Sequence, residues 1–290
     1  MTPPIFVHIP KTAGSTLRTL ITANYPAGQV LNLNGDPKQI LKVAAQHMGK
    51  TESCRLVYGH TPYGTHRFLG LRQPRYYTFL RDPVDRFLSD IAHAIRHPDH
   101  NFHAVLAEPG LSREQVISRA LDINYYRNNM VQFISGSFTT EVVAMSHLGT
   151  AIDNLWNSEF VGITEKFSTS LLIMAKKLGW KYVVPQKANV RPDEREPISP
   201  DLKGRLERAL AYDCMLYAVA QEHLAESQKG HGSLLEEAAS QLEEIIRMQE
   251  ADHPGVRFLT YQIGQEHRVP LDRYDSLIKK GSPLSRWMRP

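Results

Sequence analysis

Pro4-Ile5-Phe6-Val7-His8-Ile9-Pro10-Lys11-Thr12-Ala13-Gly14-Ser15-Thr16-Leu17 reads as a short apolar strand, a tight turn of small residues and the start of a helix. An apolar run of this length suits a strand buried on both faces, as in a parallel sheet. Few bulky side chains occupy the turn, so the backbone N–H groups of residues 12–16 can close around a phosphate or sulfate at the positive end of the following helix. Lys11 adds a mobile cation beside them. Laid on the nucleotide-triphosphate loop pattern G-x-x-x-x-G-K-[ST], His8 and Ala13 stand where glycines belong and Gly14 where the lysine belongs. A lysine at the front of the turn argues against ordinary ATP or GTP chemistry.

A second strand-to-helix junction follows in Tyr76-Tyr77-Thr78-Phe79-Leu80-Arg81-Asp82-Pro83-Val84-Asp85-Arg86-Phe87-Leu88-Ser89. Asp82 suits the N-cap, Pro83 the first helical position, and Asp85 the place from which a capping-box acid reaches back. Arg81 ends the strand and Ser89 lies about two turns into the helix, so a guanidinium and a hydroxyl can converge on another anion. Two anion sites imply a ligand phosphorylated at both ends.

Pro10-Lys11-Thr12-Ala13-Gly14-Ser15-Thr16 resembles the 5'-phosphosulfate loop of the sulfotransferases that use 3'-phosphoadenosine 5'-phosphosulfate (PAPS), and Arg81-Asp82-Pro83-x-x-Arg86-x-x-Ser89 resembles their 3'-phosphate motif. The chain looks most like the Golgi carbohydrate branch, including the heparan uronyl 2-O-sulfotransferases and their bacterial relatives. Weaker echoes are Asn128-Asn129-Met130, Phe160-Val161-Gly162-Ile163-Thr164-Glu165-Lys166-Phe167 and Asp213-Cys214-Met215-Leu216-Tyr217, so the resemblance spans residues 4 to about 224. It implies PAPS as donor, a hydroxyl acceptor such as a glycan, and no metal. The cofactor-binding residues it implies are Lys11, Thr12, Ala13, Gly14, Ser15, Thr16, Arg81 and Ser89.

The 290 residues, 42% hydrophobic and 22% charged, can bury a full core. A net charge of +4 suits a polyanionic donor, whereas no dense Lys/Arg run interleaved with aromatics points to nucleic acid. Cys54 and Cys214 match no metal or redox spacing and are expected as reduced, buried thiols. No apolar run approaches the roughly 18 to 20 residues of a membrane span, and Met1 stands only a few residues before the first strand. The expectation is therefore a cytoplasmic protein if the chain is complete, and the Golgi lumen if it has been trimmed.

Strands are expected near 4–9, 55–58, 76–80 and 159–163, and helices near 15–23, 37–48, 84–96, 112–121, 168–178 and 200–224. That alternation predicts an α/β, P-loop-like three-layer sandwich with a mostly parallel central sheet, its ligands at the strands' carboxyl ends. A breaker cluster from Glu226 to Ser233 separates this domain, 1–225, from a C-terminal helical extension, 226–290. Leu235, Ala238, Leu242, Ile245 and Ile246 give residues 234–251 an apolar stripe, read as packing on the main domain, with a homo-oligomer contact as the alternative.

Sulfuryl transfer needs positioning, neutralisation of charge on the leaving oxygen, and removal of one proton. Lys11 is the expected cation. Leu56-Val57-Tyr58-Gly59-His60 reads as a strand ending beside Lys11, and its Gly-His pair resembles the catalytic histidine region of the uronyl 2-O-sulfotransferases, which makes His60 the expected base. His8 is read as a core residue, and Glu165 as an acidic alternative whose position better fits a cap. Arg86 is expected to pair with Asp82 or Asp90. Lys187, Asn189 and Arg191 suit either closure over the donor or a solvated loop. His93, His97, His100 and His103 lack the partners of a zinc site and are placed on the acceptor rim with Arg96. The competing reading is a non-catalytic nucleotide-binding or interaction protein on the same scaffold; a nucleotide kinase is disfavoured by the misplaced lysine.

Overall fold

Ile5, Phe6 and Val7 are all but inaccessible to solvent, which is what an apolar triplet achieves only at the centre of a sheet covered on both faces. The structure, a computed structural model, describes residues 2–26, 28–34, 37–48, 53–137, 142–185, 198–252, 278 and 280–289. Its strands are β1 (Ile5–Val7), β2 (Val30–Asn32), β3 (Leu56–Gly59), β4 (Tyr76–Leu80) and β5 (Phe160–Ile163). They form one all-parallel sheet in the order β2-β3-β1-β4-β5, with Phe6 opposite both Tyr58 and Tyr77, and Thr78 opposite Val161. The α/β class and the parallel sheet thus agree with the sequence expectation.

Helices α1 (Gly14–Asn24), α2 (Pro37–Gln46), α3 (Pro83–Arg96), α4 (His103–Leu106), α5 (Arg113–Leu121), α6 (Asn129–Ser135), α7 (Met145–Trp156), α8 (Phe167–Leu178), α9 (Pro200–Ala209), α10 (Ala211–Gln228) and α11 (Gly232–Asp252) connect and follow the strands, with a last short helix at Pro283–Trp287. Edge strand β2 escapes sequence reading because three residues ending in an exposed asparagine carry no periodicity. The single helix expected over 200–224 is broken at Leu210, whose φ of −108° and ψ of 25° interrupt the helical path. Two cores require that break. Leu202, Leu206 and Leu210 pack with Val84, Phe87 and Ile91 of α3 and with Val116 and Ile117 of α5, whereas Leu216, Ala220 and Leu224 belong to the large core around the sheet. One straight helix could not present leucines to both.

The stripe on α11 is buried: Leu235, Ala238, Leu242 and Ile245 share the large core with Leu284 and Trp287, and Trp287 Nε1 donates to the Leu172 carbonyl of α8 at 3.2 Å. Cys54 and Cys214 are free thiols, half-buried rather than fully buried, and burial raises both above the ordinary thiol range. Among the described residues no helix is long and apolar enough to cross a membrane.

Helix α3 carries a charge into the interior. Arg86, with no solvent exposure, donates through Nη1 to Asp90 Oδ2 at 3.2 Å and to Asn129 Oδ1 at 3.3 Å, and through Nη2 to the Tyr126 carbonyl at 3.4 Å. Of the two acids considered for Arg86, Asp90 is the partner. Asp82 instead caps α3, its Oδ1 accepting the Asp85 N–H at 2.9 Å. The capping-box bond expected from Asp85 is replaced, since the Asp82 N–H donates to Glu165 Oε1 at 3.0 Å, in the turn that follows β5. A distant carboxylate so ties the start of α3 to the end of the neighbouring strand.

Candidate functional site

In the strand order β2-β3-β1-β4-β5, the chain leaving β1 travels toward one edge and the chain leaving β4 toward the other. Right-handed crossovers then send the two following helices to opposite faces, opening a crevice between the carboxyl ends of β1 and β4. The Lys11 turn and Arg81 flank this crevice. They touch: Arg81 Nη1 donates to the Lys11 carbonyl at 3.3 Å.

The turn is held in an uncommon backbone state. Lys11 (φ 69°) and Ala13 (φ 63°) are two of the three non-glycine residues with positive φ among the described residues. Such conformations cost free energy and persist where the surroundings enforce them, often at binding sites. Ala13 is the N-cap of α1 and offers no side-chain bond, so the first-turn N–H groups of Gly14, Ser15 and Thr16 receive no side-chain cap. Thr12 is fully buried with its hydroxyl donated to the Ile9 carbonyl at 2.9 Å, which leaves its backbone N–H as the group it can offer a ligand. Ser15 is exposed and Thr16 half-buried at the helix head.

His8 locks this turn to His60. The Tyr58 hydroxyl donates to the Gly14 carbonyl at 3.1 Å, so its oxygen accepts from His8 Nδ1–H at 3.0 Å. A Cβ on residue 14 would lie 1.6 Å from His8 Nε2, so only glycine permits the imidazole to rest on the helix start. His60 stacks on His8 with ring centroids 4.3 Å apart, and its Nδ1–H donates to the His8 carbonyl at 2.8 Å. That bond fixes the tautomer and leaves Nε2 with its lone pair, unengaged among the described residues. Gly59 permits the close turn into His60, because a Cβ there would fall 2.2 Å from the Leu33 carbonyl oxygen.

Burial holds His8 well below the usual histidine value, and the charges of His60, Arg18 and Lys11 add to this. Burial also lowers His60, opposed by its bond to the His8 carbonyl and by the Asp90 charge. Lys11 is drawn down by burial, with Asp90 opposing and Arg96 and Arg81 reinforcing. Asp90, itself anchored by Arg86, therefore supports positive charge on the crevice wall from beneath.

Arg81 has a second anchor, Glu165, whose Oε1 lies 4.0 Å from Arg81 Nε and whose Oε2 accepts the Tyr217 hydroxyl at 2.8 Å. With the Asp82 N–H also bound, Glu165 acts as a buttress for α3 and does not cap the helix that follows it, whose N-cap Lys166 makes no side-chain cap bond. Ser89 is half-buried two turns into α3, its hydroxyl without a hydrogen bond among the described residues, on the helical face it shares with His93 and Arg96. Burial and the Lys11 charge push His93 down to about 4, which makes it a neutral ring at pH 7. His97 and His100 pack against it with centroids at 4.1 and 5.8 Å, while His103 turns away to donate Nδ1–H to the Ala94 carbonyl at 3.0 Å. Among the described residues no group of three or more His, Cys, Asp or Glu is arranged to hold a metal ion. Lys187, Asn189 and Arg191 lie outside the described residues.

The weaker sequence echoes meet in space. Asn128 Oδ1 accepts the Asp213 N–H at 3.0 Å, and the buried Asp213 carboxylate accepts the N–H groups of Met130 (3.2 Å) and Val131 (2.9 Å) at the head of α6. Tyr58, Asp90 and Tyr217 were not among the expected site residues. Asp90 and Tyr217 stood inside or beside quoted motifs, whereas the role of Tyr58 depends on pairing between β1 and β3 that no local pattern announces. Fold and site together define a parallel α/β protein with a donor-lined crevice at its topological switch point. No protein-family model matches the chain, and no curated protein matches it.

Proposed function

We propose that the chain is a PAPS-dependent sulfotransferase that moves a sulfuryl group to a hydroxyl of an acceptor, with a carbohydrate as the acceptor class. The observation that carries this reading is the 3.3 Å contact between Arg81 and the Lys11 carbonyl, which puts the two anion motifs in one crevice, as a donor charged at both ends requires. On this reading the sheet is P-loop-like. The strained turn and the uncapped head of α1 hold the 5' end, Arg81 and Ser89 hold the 3'-phosphate, and no metal takes part.

His60 Nε2 takes the acceptor hydroxyl proton as the acceptor oxygen forms its bond to sulfur, and Lys11 neutralises the bridging oxygen as the sulfur–oxygen bond to the 5'-phosphate breaks. His8 and Tyr58 keep base and turn in register through the Gly14 carbonyl and the His60–His8 bond. In-line geometry and fixed charges then supply the acceleration.

Titration calorimetry with 3',5'-adenosine bisphosphate and turnover with radiolabelled PAPS across an acceptor panel test the proposal. Binding without turnover on any acceptor favours the non-catalytic reading, and absence of binding removes both. Arg81→Ala is expected to weaken bisphosphate binding by about 10- to 100-fold, the loss of charge-assisted bonds together with the Lys11 anchor; unchanged affinity would remove Arg81 from the donor site.

His60 must be neutral to accept a proton, and its lowered pKa keeps it neutral to more acid pH. The acid limb of kcat/KM is accordingly expected to have its midpoint below 6.5. His60→Ala is expected to abolish that limb and to cut turnover by about 10²- to 10⁴-fold. Full activity in that variant would end the assignment of the base.

A further inference from the structure

We propose that a cavity away from the Lys11–Arg81 crevice, between the Arg127–Asn128 turn and the α9–α10 junction, binds the sulfate or phosphate ester of a sugar-sized molecule. Its volume is about 330 Å³, within the roughly 300–1,000 Å³ of small-molecule clefts. Arg127 and Arg208 line it, and neither guanidinium has a carboxylate partner or any hydrogen bond among the described residues. No Asp or Glu stands among the described lining residues. Two arginines without carboxylate partners among the described residues, lining one cavity, suit a tetrahedral oxyanion.

Asn128 supplies the third donor. It is only 8% exposed and lines the cavity, and its Oδ1 is committed to the Asp213 N–H at 3.0 Å, which leaves the amide Nδ2 with two N–H groups and no partner among the described residues. Its backbone is held at φ 49°, and Asp213 in turn is pinned by the N–H groups of Met130 and Val131. A strained, clamped donor beside two arginines is a prearranged anion contact rather than a solvated surface. Tyr212 adds a hydroxyl, and Val142 and Val143 add apolar walls for the body that carries the ester.

The inference does not rest on sulfuryl transfer. Calorimetry with glucose 6-sulfate and glucose 6-phosphate on the full chain tests it. The unsubstituted chain is expected to bind at least one of them. Arg127→Gln with Arg208→Gln, both on exposed positions, should weaken that binding at least tenfold while 3',5'-adenosine bisphosphate affinity stays within twofold. Arg81→Ala should leave the sugar-ester affinity unchanged. Repetition with saturating bisphosphate separates the sources: equal affinity marks an independent ligand, and tighter binding marks a substituent of the acceptor. No binding of either ester, or equal binding by the double variant, overturns the proposal.

Discussion

Arg86→Ala is expected to destabilise the chain by about 3–5 kcal/mol, enough to leave much of it unfolded in mild denaturant. The substitution strips Asp90, 1% exposed, of its only ion-pair partner among the described residues, and removes the donors to Asn129 Oδ1 and the Tyr126 carbonyl. An uncompensated buried carboxylate is the larger part of that cost. Arg86→Met with Asp90→Leu removes both charges and should recover most of the stability. The same double variant should still lose activity, because the Asp90 charge supports Lys11 and His60. Urea unfolding of the three proteins measures the first effect; a loss below about 1 kcal/mol in Arg86→Ala would show that water or rearrangement solvates Asp90.

Lys11→Ala is expected to lower turnover by about 10²- to 10³-fold, the range seen when one fixed donor to a developing oxyanion is removed. Bisphosphate affinity should fall far less, since the N–H groups at the head of α1 and the Arg81 guanidinium remain. The backbone effect is small, because alanine meets the same positive φ of 69° that lysine already bears. Single-turnover transfer from radiolabelled PAPS separates the two quantities. A variant keeping more than about a tenth of the turnover would place Lys11 outside the reacting atoms.

Both variants test one electrostatic unit. Arg86 holds Asp90, Asp90 opposes the depression of Lys11, and Arg81 props the Lys11 carbonyl while Glu165 and Tyr217 prop Arg81. Positive charge in a crevice of this kind is costly unless a carboxylate lies behind it. Asp90 meets that need from within the same helix that carries Ser89 and His93.

Much of the architecture was legible in local chemistry. The apolar runs at 5–7, 56–59, 76–80 and 160–163 are strands because they are too short and too uniformly apolar for a surface helix, and Asp82-Pro83 starts a helix because the cap and the fixed proline φ leave little alternative. The small-residue turn after β1 was equally plain. Local pattern could not supply what depends on neighbours distant in sequence. Asp85 was the nearer candidate for the reciprocal bond to Asp82, yet Glu165 makes it from the turn that follows β5. The break at Leu210 exists because two separate cores claim the two halves of a helical pattern. The coupling of His60 to the turn passes through Tyr58 and His8, residues of paired strands whose register only the folded sheet sets. Amino-acid order by itself determined the elements and the anion-seeking chemistry of their ends, since propensity, capping and side-chain charge act over a few residues. Tertiary structure alone decided which ends face one another and which tautomer and charge each group carries, since burial and long-range hydrogen bonds arise only when the strands assemble.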